Sequence, residues 1–500
     1  MASDSLHVLI VGAGFGGLTA AIECRRRGMQ VTVIETYPTS LAYGDIIDFF
    51  PNGGRIIEAW EGGRVGRDLM KVCINQGDRL QYCRADGTVI WEEDWILEPH
   101  HFWRQYGGHR GQMHKVILDY AAELGVVMEF GDRVVRYVDE GKSEGEGEGE
   151  GEGEGEGEGE GEGEKLGVVT AAGREFYAHV VVAADGPRSI ARQQVLGLPD
   201  TKVNSGYAIF RAHFTLTEEH RKNPDLEVFC DPTTDMTKLW VTKDLHMIVY
   251  TWNKGRDIGW VLTHKLRAPQ DTEDIGESWS FPGKKADVLA CLAQGGFEQR
   301  LSSVVEATPS ANLVDYKLVW RDPLSTWLSP SARTVVIGDA AHCHLPTSAQ
   351  GGSQAMEDGV ALAVCLQRAR VRDSNKNNSN KNNNNHKNNS NNNNVPLALR
   401  VMERIRFNRS HVTHMASITV RDGYHSVDFD GDEILKNPQV LNLPRPEWVV
   451  EYNVEDEAER HFDALAADVE AGRQGSIQEL ALPAGGDYNV ESRKVASTKI

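Results

Sequence analysis

Within HVLIVGAGFGGLTAAIECRRRGMQVTVIE, residues 7–35, Gly12, Gly14 and Gly17 stand in G-x-G-x-x-G spacing directly after the apolar run Val8–Val11. Such a run suits a strand buried on both faces of a parallel sheet. The first glycine permits a tight turn, the second lets backbone approach a pyrophosphate, and the third lets the next helix close on the strand. Leu18, Ala21 and Ile22 continue at helical spacing, Gly28 ends the helix, and Val31–Ile34 rebuild a buried strand that stops at Glu35. That carboxylate lies eighteen residues after Gly17, where it would accept hydrogen bonds from an adenosine ribose. Strand, turn, helix, strand and acid together predict a dinucleotide site. An ordinary glycine turn and a signal peptide fit less well, since no basic region precedes Val8.

The formal charge of −20 suggests an anionic surface, yet the strict Glu-Gly alternation at Glu144–Glu164 holds eleven of the glutamates. The remainder is mildly acidic and shows no basic stripe, which argues against a nucleic-acid partner. The seven cysteines are dispersed, without C-x-x-C or zinc-ligand spacing, and read as reduced thiols; no metal constellation is evident. His342 and His344 find no convincing partners in the sequence, and His100 and His101 are merely adjacent. No run of about 18 apolar residues is present, so no transmembrane segment is expected. The tail Thr498-Lys499-Ile500 only loosely resembles a peroxisomal signal, and the chain reads as cytoplasmic.

Further along, Leu80–Trp91 reads as a β-hairpin turning at Asp86-Gly87, and Arg110 stands at the entrance of an amphipathic helix through Met113, Ile117 and Leu118. The Glu-Gly run reads as a disordered insertion in a hairpin, flanked by Arg133–Val138 and Gly167–Thr170. Phe176–Ala184 is a buried strand ending in Asp185-Gly186-Pro187-Arg188-Ser189. Alternating strands then follow at Tyr207–Phe214, Glu227–Cys230, Lys238–Val241, Met247–Trp252 and Ile258–Thr263. A further apolar strand, Thr334–Ile337, leads into Gly338-Asp339-Ala340-Ala341-His342 and a helix starting near Ser353. The Asn-rich stretch Ser374–Asn394 reads as a second disordered insertion, after which Val395–His414 resumes as helix and the acidic C-terminal part is less regular.

Three of these motifs together resemble the group A flavoprotein monooxygenases, the FAD-dependent aromatic hydroxylases of the para-hydroxybenzoate and salicylate hydroxylase type, in a fungal form. They are Gly12-Ala13-Gly14-Phe15-Gly16-Gly17 with Glu35, Ala184-Asp185-Gly186-Pro187-Arg188-Ser189 through Arg192, and Gly338-Asp339-Ala340-Ala341-His342 with Pro346, Gln350 and Gly352. The resemblance implies an α/β fold: a Rossmann-like FAD-binding domain with an inserted antiparallel-sheet substrate domain. Its parts would be residues 1–200 and 315–420 for FAD, 201–314 for substrate, and 421–500 as a C-terminal extension, with 144–164 and 374–394 as low-complexity insertions.

As cofactor-binding residues it implies Gly12, Gly14, Gly17, Glu35, Arg110, Asp185, Gly186, Asp339, Gly351 and Gly352. Asp339 would accept a ribityl hydroxyl, and Gly351 and Gly352 would bring helix N–H groups to the isoalloxazine. Pro51-Asn52 is similar to the family's loop over the flavin, although Gly44-Asp45-Ile46 replaces the usual Gly-Ala-Gly. The implied activity is hydroxylation of an aromatic or polyketide-type small molecule by NAD(P)H and O₂ through a C4a-hydroperoxyflavin, in secondary metabolism. Arg211 and Tyr250, on the inserted sheet, are the candidates for favouring a phenolate, with His213 and His246 behind them. Epoxidation and Baeyer-Villiger insertion are alternative uses of the same intermediate, and a non-catalytic flavin scaffold is a third reading. No second G-x-G-x-x-G offers NAD(P)H its own domain.

Overall fold

The computed structural model describes residues 5–38, 46–74, 79–94, 104–140, 165–266, 281–379, 394–426 and 447–473. His7–Val11 lies at the centre of a five-stranded parallel sheet, between Val180–Ala183 and Gln30–Glu35, with Thr334–Val336 and Val127–Phe130 at the edges. Val8, Leu9, Ile10 and all of Val180–Ala183 are buried, because elements cover both sheet faces and leave no place for a polar side chain. Val11 pairs with both Ala183 and Ile34, and Ala183 pairs with Val336. The three motifs therefore leave the carboxyl ends of three adjacent strands, the edge at which open α/β sheets bind ligands.

Helix Phe15–Arg26 and helix Gly351–Ser379 pack together over this sheet. Leu18, Ile22 and Leu362 are fully buried there, each contributing about 2 kcal/mol of hydrophobic stabilisation. A three-stranded antiparallel sheet of Val134–Asp139, Leu166–Thr170 and Glu175–Tyr177 adds Leu166 and Val168 to the same core. Asp139 pairs with Leu166, so the Glu-Gly run joins the two ends of one hairpin; residues 141–164 lie outside the described residues. Because loop-closure entropy grows only slowly with length, an insertion at a paired hairpin end is tolerated at little cost.

The second sheet has seven strands, in the order Val314–Arg321, Lys202–Thr215, Asp257–Lys265, Leu245–Trp252, Thr237–Thr242, Arg79–Arg84, Val89–Asp94. Alternation along the strands separates its faces. Phe210, Phe214, Trp240, Met247, Trp260 and Leu262 point to one side and pack under helices Lys285–Gly295 and Gln299–Ala307. The opposite side carries Arg211, His213, Ile248 and Tyr250.

Several expectations change. The hairpin Arg79–Asp94, placed by its sequence position among residues 1–200, joins the large sheet by pairing Arg79–Arg84 in parallel with Thr237–Thr242. The sheet is therefore mixed, and it also extends beyond residue 314 through Val314–Arg321. Glu227–Cys230 is no strand: Pro224–Glu227 forms a helical turn, started by Pro224 at the first helical position and by Asn223, whose side chain accepts from Asp225 N–H at 3.0 Å. Phe176–Ala184 divides into two strands, Glu175–Tyr177 and Val180–Ala183, that belong to different sheets. Helix Gly351–Ser379 runs through the first residues of the Asn-rich stretch, since extending a formed helix is far cheaper than nucleating one; residues 380–393 lie outside the described residues.

The C-terminal part contains helix Val454–Glu470, whose Val454, Ala458, Phe462 and Ala466 repeat every four residues and enter the main core. It thus packs in the same core as the five-stranded sheet. Gly44 and Asp45, the departure in the flavin loop, and His100-His101 lie outside the described residues. Among the described residues no helix is long and apolar enough to cross a membrane, and no group of three or more His, Cys, Asp or Glu is placed to hold a metal ion.

Candidate active site

The glycine turn is built by contacts that exclude side chains. Gly12 has φ +102°, and a Cβ on it would lie 2.3 Å from Ala184 O; a Cβ on Gly17 would lie 2.1 Å from Gly12 O. Gly14 differs: nothing lies within 4 Å of where its Cβ would be. It precedes helix Phe15–Arg26, whose N-terminus has no side-chain cap, so free N–H groups face that open space. Two side chains brace the turn. Glu35 Oε2 accepts from Ala13 N–H at 2.8 Å and Oε1 from Tyr37 N–H at 2.9 Å, and His114 Nε2 donates to Ala13 O at 2.6 Å. Burial holds His114 below its ordinary pKa, against the pull of this hydrogen bond. Glu35 therefore supports the loop itself, and its remaining lone pairs are what it has for a ribose.

Asp185 Oδ2 accepts from Tyr137 Oη and Ile190 N–H, each at 3.2 Å, while Oδ1 is buried with no partner among the described residues. Burial pushes the Asp185 carboxyl up. Arg192, 3% exposed, ties this motif to the next: Nε donates to Ala340 O at 2.7 Å, Nη2 to Asp339 O at 2.9 Å and Nη1 to Pro187 O at 2.8 Å. Gly338, at φ +60°, turns the chain so that Asp339 is half-buried at the sheet edge, and Gly338 N–H donates to Asp358 Oδ2 at 3.0 Å. Arg110 is exposed, at the first position of helix Arg110–Glu123, with its guanidinium 5.9 Å from the Phe15 ring centroid.

Gly351 and Gly352 open the helix Gly351–Ser379. A Cβ on Gly352 would press Phe49 at 3.0 Å and Ile47 at 3.2 Å, whereas Gly351 has only His344 Cβ, at 3.6 Å. Around this N-terminus Asn52 Oδ1, Gln350 Nε2 and Ser353 Oγ are buried without partners among the described residues. Asn52 Nδ2 donates to Gln350 Oε1 at 3.1 Å and to Glu357 Oε1 at 2.6 Å. An uncapped helix, an open glycine and orphaned donors and acceptors strung along one sheet edge fit a phosphate-containing flavin cofactor.

Beneath this edge lies a buried network that sequence reading missed. Arg406 pairs with Glu357 and, at 2.9 Å, with Asp358; Arg409 donates to both Glu357 oxygens at 2.7 and 2.9 Å; His342 Nε2 donates to Asp358 at 2.6 Å. Burial by itself would raise Glu357 and Asp358, but the two arginines and His342 outweigh it and hold both carboxyls below their ordinary values. The signal was present: Glu357-Asp358 is the one charged pair in the otherwise small and apolar run Ala355–Leu366, and Arg406 and Arg409 share a helix face at i, i+3. His342 and His344, left without partners by the sequence, meet at Nδ1···Nδ1 3.2 Å, and His344 lies 5.1 Å from His414 by ring centroid.

Two domain-model matches and three overall comparisons name this arrangement. Residues 7–44 and 328–374 each match an FAD binding domain. The solved structure of FqzB is 30% identical, covers 97% of this chain and 98% of its own, and superposes with TM-score 0.74. The chain belongs to the group A FAD-dependent monooxygenases.

Within that family, asperlicin C monooxygenase of Petromyces alliaceus is 28% identical over 475 residues, 94% of this chain and 90% of that protein. CtdE in complex with FAD and a substrate is 26% identical, with TM-score 0.76 over 93% of this chain and 100% of that one. FAD is thus the cofactor, NAD(P)H is the family's co-substrate, and the chain is an oxidoreductase of the monooxygenase class.

On the large sheet, Arg211 and Ile248 both pair with Val261, and His213 and Tyr250 both pair with Gly259. Residues in register on adjacent strands share a face, so Arg211, His213 and Tyr250 stand together. Arg211 and Tyr250 are 9% and 1% exposed. The Tyr250 ring lies across Gly259, where a Cβ would come within 2.5 Å of Cζ. Trp252 extends this face and stacks on His109, at 4.8 Å and 21°, while His213 meets His109 edge-on at 5.3 Å. His109 immediately precedes Arg110, so the aromatic face of the sheet abuts the strand Tyr106–His109 that leads into helix Arg110–Glu123. His246 lies on the same face, paired with Thr263. Trp252 and His109 join the candidates only through this packing.

Proposed function

We propose that this monooxygenase hydroxylates an electron-rich aromatic or polyketide-type small molecule with NAD(P)H and O₂, in secondary metabolism. The observation that carries this reading is the shared face of Arg211, His213 and Tyr250, walled by Trp252 and His109, beside the flavin-binding edge. Bound FAD supplies the reduction and the activation of O₂. The chain's own part is to hold a planar substrate on this face, keep water out with Ile74, Tyr250 and Trp252, and manage one proton at a ring oxygen. The Arg211 guanidinium favours the deprotonated oxygen, and Tyr250 Oη orients it.

Glu35 is assigned to the adenosine ribose, Asp185 to the approach between nucleotide and flavin halves, Asp339 to the ribityl chain, the helix N-terminus at Gly14 to the phosphates, and that at Gly351 and Gly352 to the isoalloxazine. Names of relatives, such as asperlicin C monooxygenase, support a complex small-molecule substrate. The test is substrate-dependent NADPH oxidation coupled to O₂ uptake across a panel of aromatic compounds, with mass spectrometry under ¹⁸O₂. One labelled oxygen on a ring carbon supports the proposal. Ring expansion or an epoxide moves the chemistry elsewhere, and loss of coupling for every compound defeats it.

A further inference from the structure

We propose that Arg409 is a positioning residue that clamps the segment Glu447–Tyr452 onto Phe50–Asn52, the start of the helix Pro51–Glu58 that stands where a loop was expected, and that this clamp governs how fully NAD(P)H consumption is coupled to substrate oxygenation. The inference rests on the reading of Asn52 as part of the cover over the flavin.

Arg409 projects from helix Val395–Ser426 and is 4% exposed. Its guanidinium serves two partners at once. Nε and Nη2 donate to the two oxygens of Glu357, at 2.7 and 2.9 Å, while Nη1 and Nη2 donate to the carbonyls of Trp448 and Val449, at 2.7 and 2.8 Å. Its Cζ also lies 3.8 Å from the Tyr452 ring centroid. Glu357 in turn accepts from Asn52 Nδ2 at 2.6 Å. The segment completes the circuit on its other side, where Val449 and Val450 pack with the fully buried Phe50 and with Ala349.

Asn52, Glu357, Arg409, Val449 and Phe50 thus form a closed ring of contacts around this helix start. The ring passes through an arginine because only a planar fork addresses a carboxylate and two carbonyls in one orientation; a lysine would keep the charge and lose the geometry. Arg406, by contrast, directs its hydrogen bonds to Glu357, Asp358 and Gln354. A cover that opens admits water to the flavin and diverts the reaction: NAD(P)H, O₂ and one proton then give NAD(P)⁺ and hydrogen peroxide, with no oxygen in the substrate.

The experiment compares Arg409→Lys, Arg409→Met and Val450→Ser with Arg368→Gln, all as full-length protein loaded with FAD. Arg368 pairs with Glu459 and Asp463 on the last helix, away from the clamp. Bound-flavin fluorescence and hydrogen peroxide released per NADPH oxidised are read for each, with thermal melting alongside. The clamp is supported if Arg409→Lys restores the melting temperature lost in Arg409→Met, yet both Arg409→Lys and Val450→Ser raise flavin fluorescence and peroxide several-fold while Arg368→Gln does not. It is overturned if Arg409→Lys and Val450→Ser keep wild-type fluorescence and peroxide yield, or if Arg368→Gln changes them equally. Should no aromatic compound be oxygenated, the proposed function fails, while flavin fluorescence and substrate-free peroxide release still decide the clamp.

Discussion

Arg192 donates from Nη2 to the backbone carbonyl of Asp339 at 2.9 Å, across 147 residues of sequence. With its bonds to Ala340 O and Pro187 O, one side chain holds the second and third flavin motifs at a fixed separation. Replacing Arg192 with methionine leaves three carbonyls to find other partners. Each buried one left unpaired costs about 1–3 kcal/mol. FAD affinity is expected to fall at least about tenfold, which corresponds to about 1.4 kcal/mol, measured by fluorescence titration of the apoprotein. Unchanged affinity would mean that the motifs hold their spacing without this strut.

Gly12 and Gly14 should respond differently to the same methyl group. At Gly12 a Cβ would meet Ala184 O at 2.3 Å with φ at +102°, so Gly12→Ala is expected to reduce the yield of folded protein. At Gly14 the space is open. Gly14→Ala should melt within about 0.5 kcal/mol of the parent while binding FAD more weakly, because the added methyl occupies the approach to the phosphates. Equal thermal losses in both variants would remove the distinction.

Gly259→Ala should act through Tyr250. The new Cβ would lie 2.5 Å from the tyrosine ring, so the ring must swing off the sheet. Turnover is expected to fall by about a hundredfold, the scale of a misplaced acid–base group, with flavin absorbance and stoichiometry unaltered. Tyr250→Phe, which keeps the ring and removes the hydroxyl, should lower turnover without the folding cost. A Gly259→Ala variant with parental turnover would show that Tyr250 does not work in this position.

Stability should decline as pH falls from about 6.5. Burial first, then His342 and His414, lower His411 to about 3, and burial with the same neighbours holds His344 well below its ordinary value. Between the unfolded value near 6.5 and the folded one, the unfolded chain binds protons that the folded chain refuses, so each step down in pH favours unfolding. Each such histidine contributes up to about 1.4 kcal/mol per pH unit across that window. Urea titrations at pH 7, 6 and 5 should show this slope, and His411→Phe should flatten it. A slope that His411→Phe leaves intact would place the titration elsewhere.

That the three motifs would sit at the ends of buried strands was readable from the chain because each motif is local. The glycines, Asp185-Gly186 and Gly338-Asp339 each follow a short β-branched run directly, and such runs become adjacent buried strands. Arg211 and Tyr250 were reachable as residues of alternating strands, although nothing in their spacing puts them across Gly259 or beside His109. The strand expected at Glu227–Cys230 fell to Asn223 and Pro224, a capping pair whose local effect outweighs a short apolar run.

By itself, then, the sequence determined that this chain makes a Rossmann-type FAD site, since turn chemistry and hydrophobic period act over a few residues. Tertiary structure alone decided that Arg79–Asp94 joins the seven-stranded sheet, that Trp252 stacks on His109, and that Arg409 links Glu357 to the backbone at Trp448 and Val449. Those contacts join residues tens to hundreds of positions apart. Packing and the need to pair buried charge select them, and neither leaves a period in the sequence.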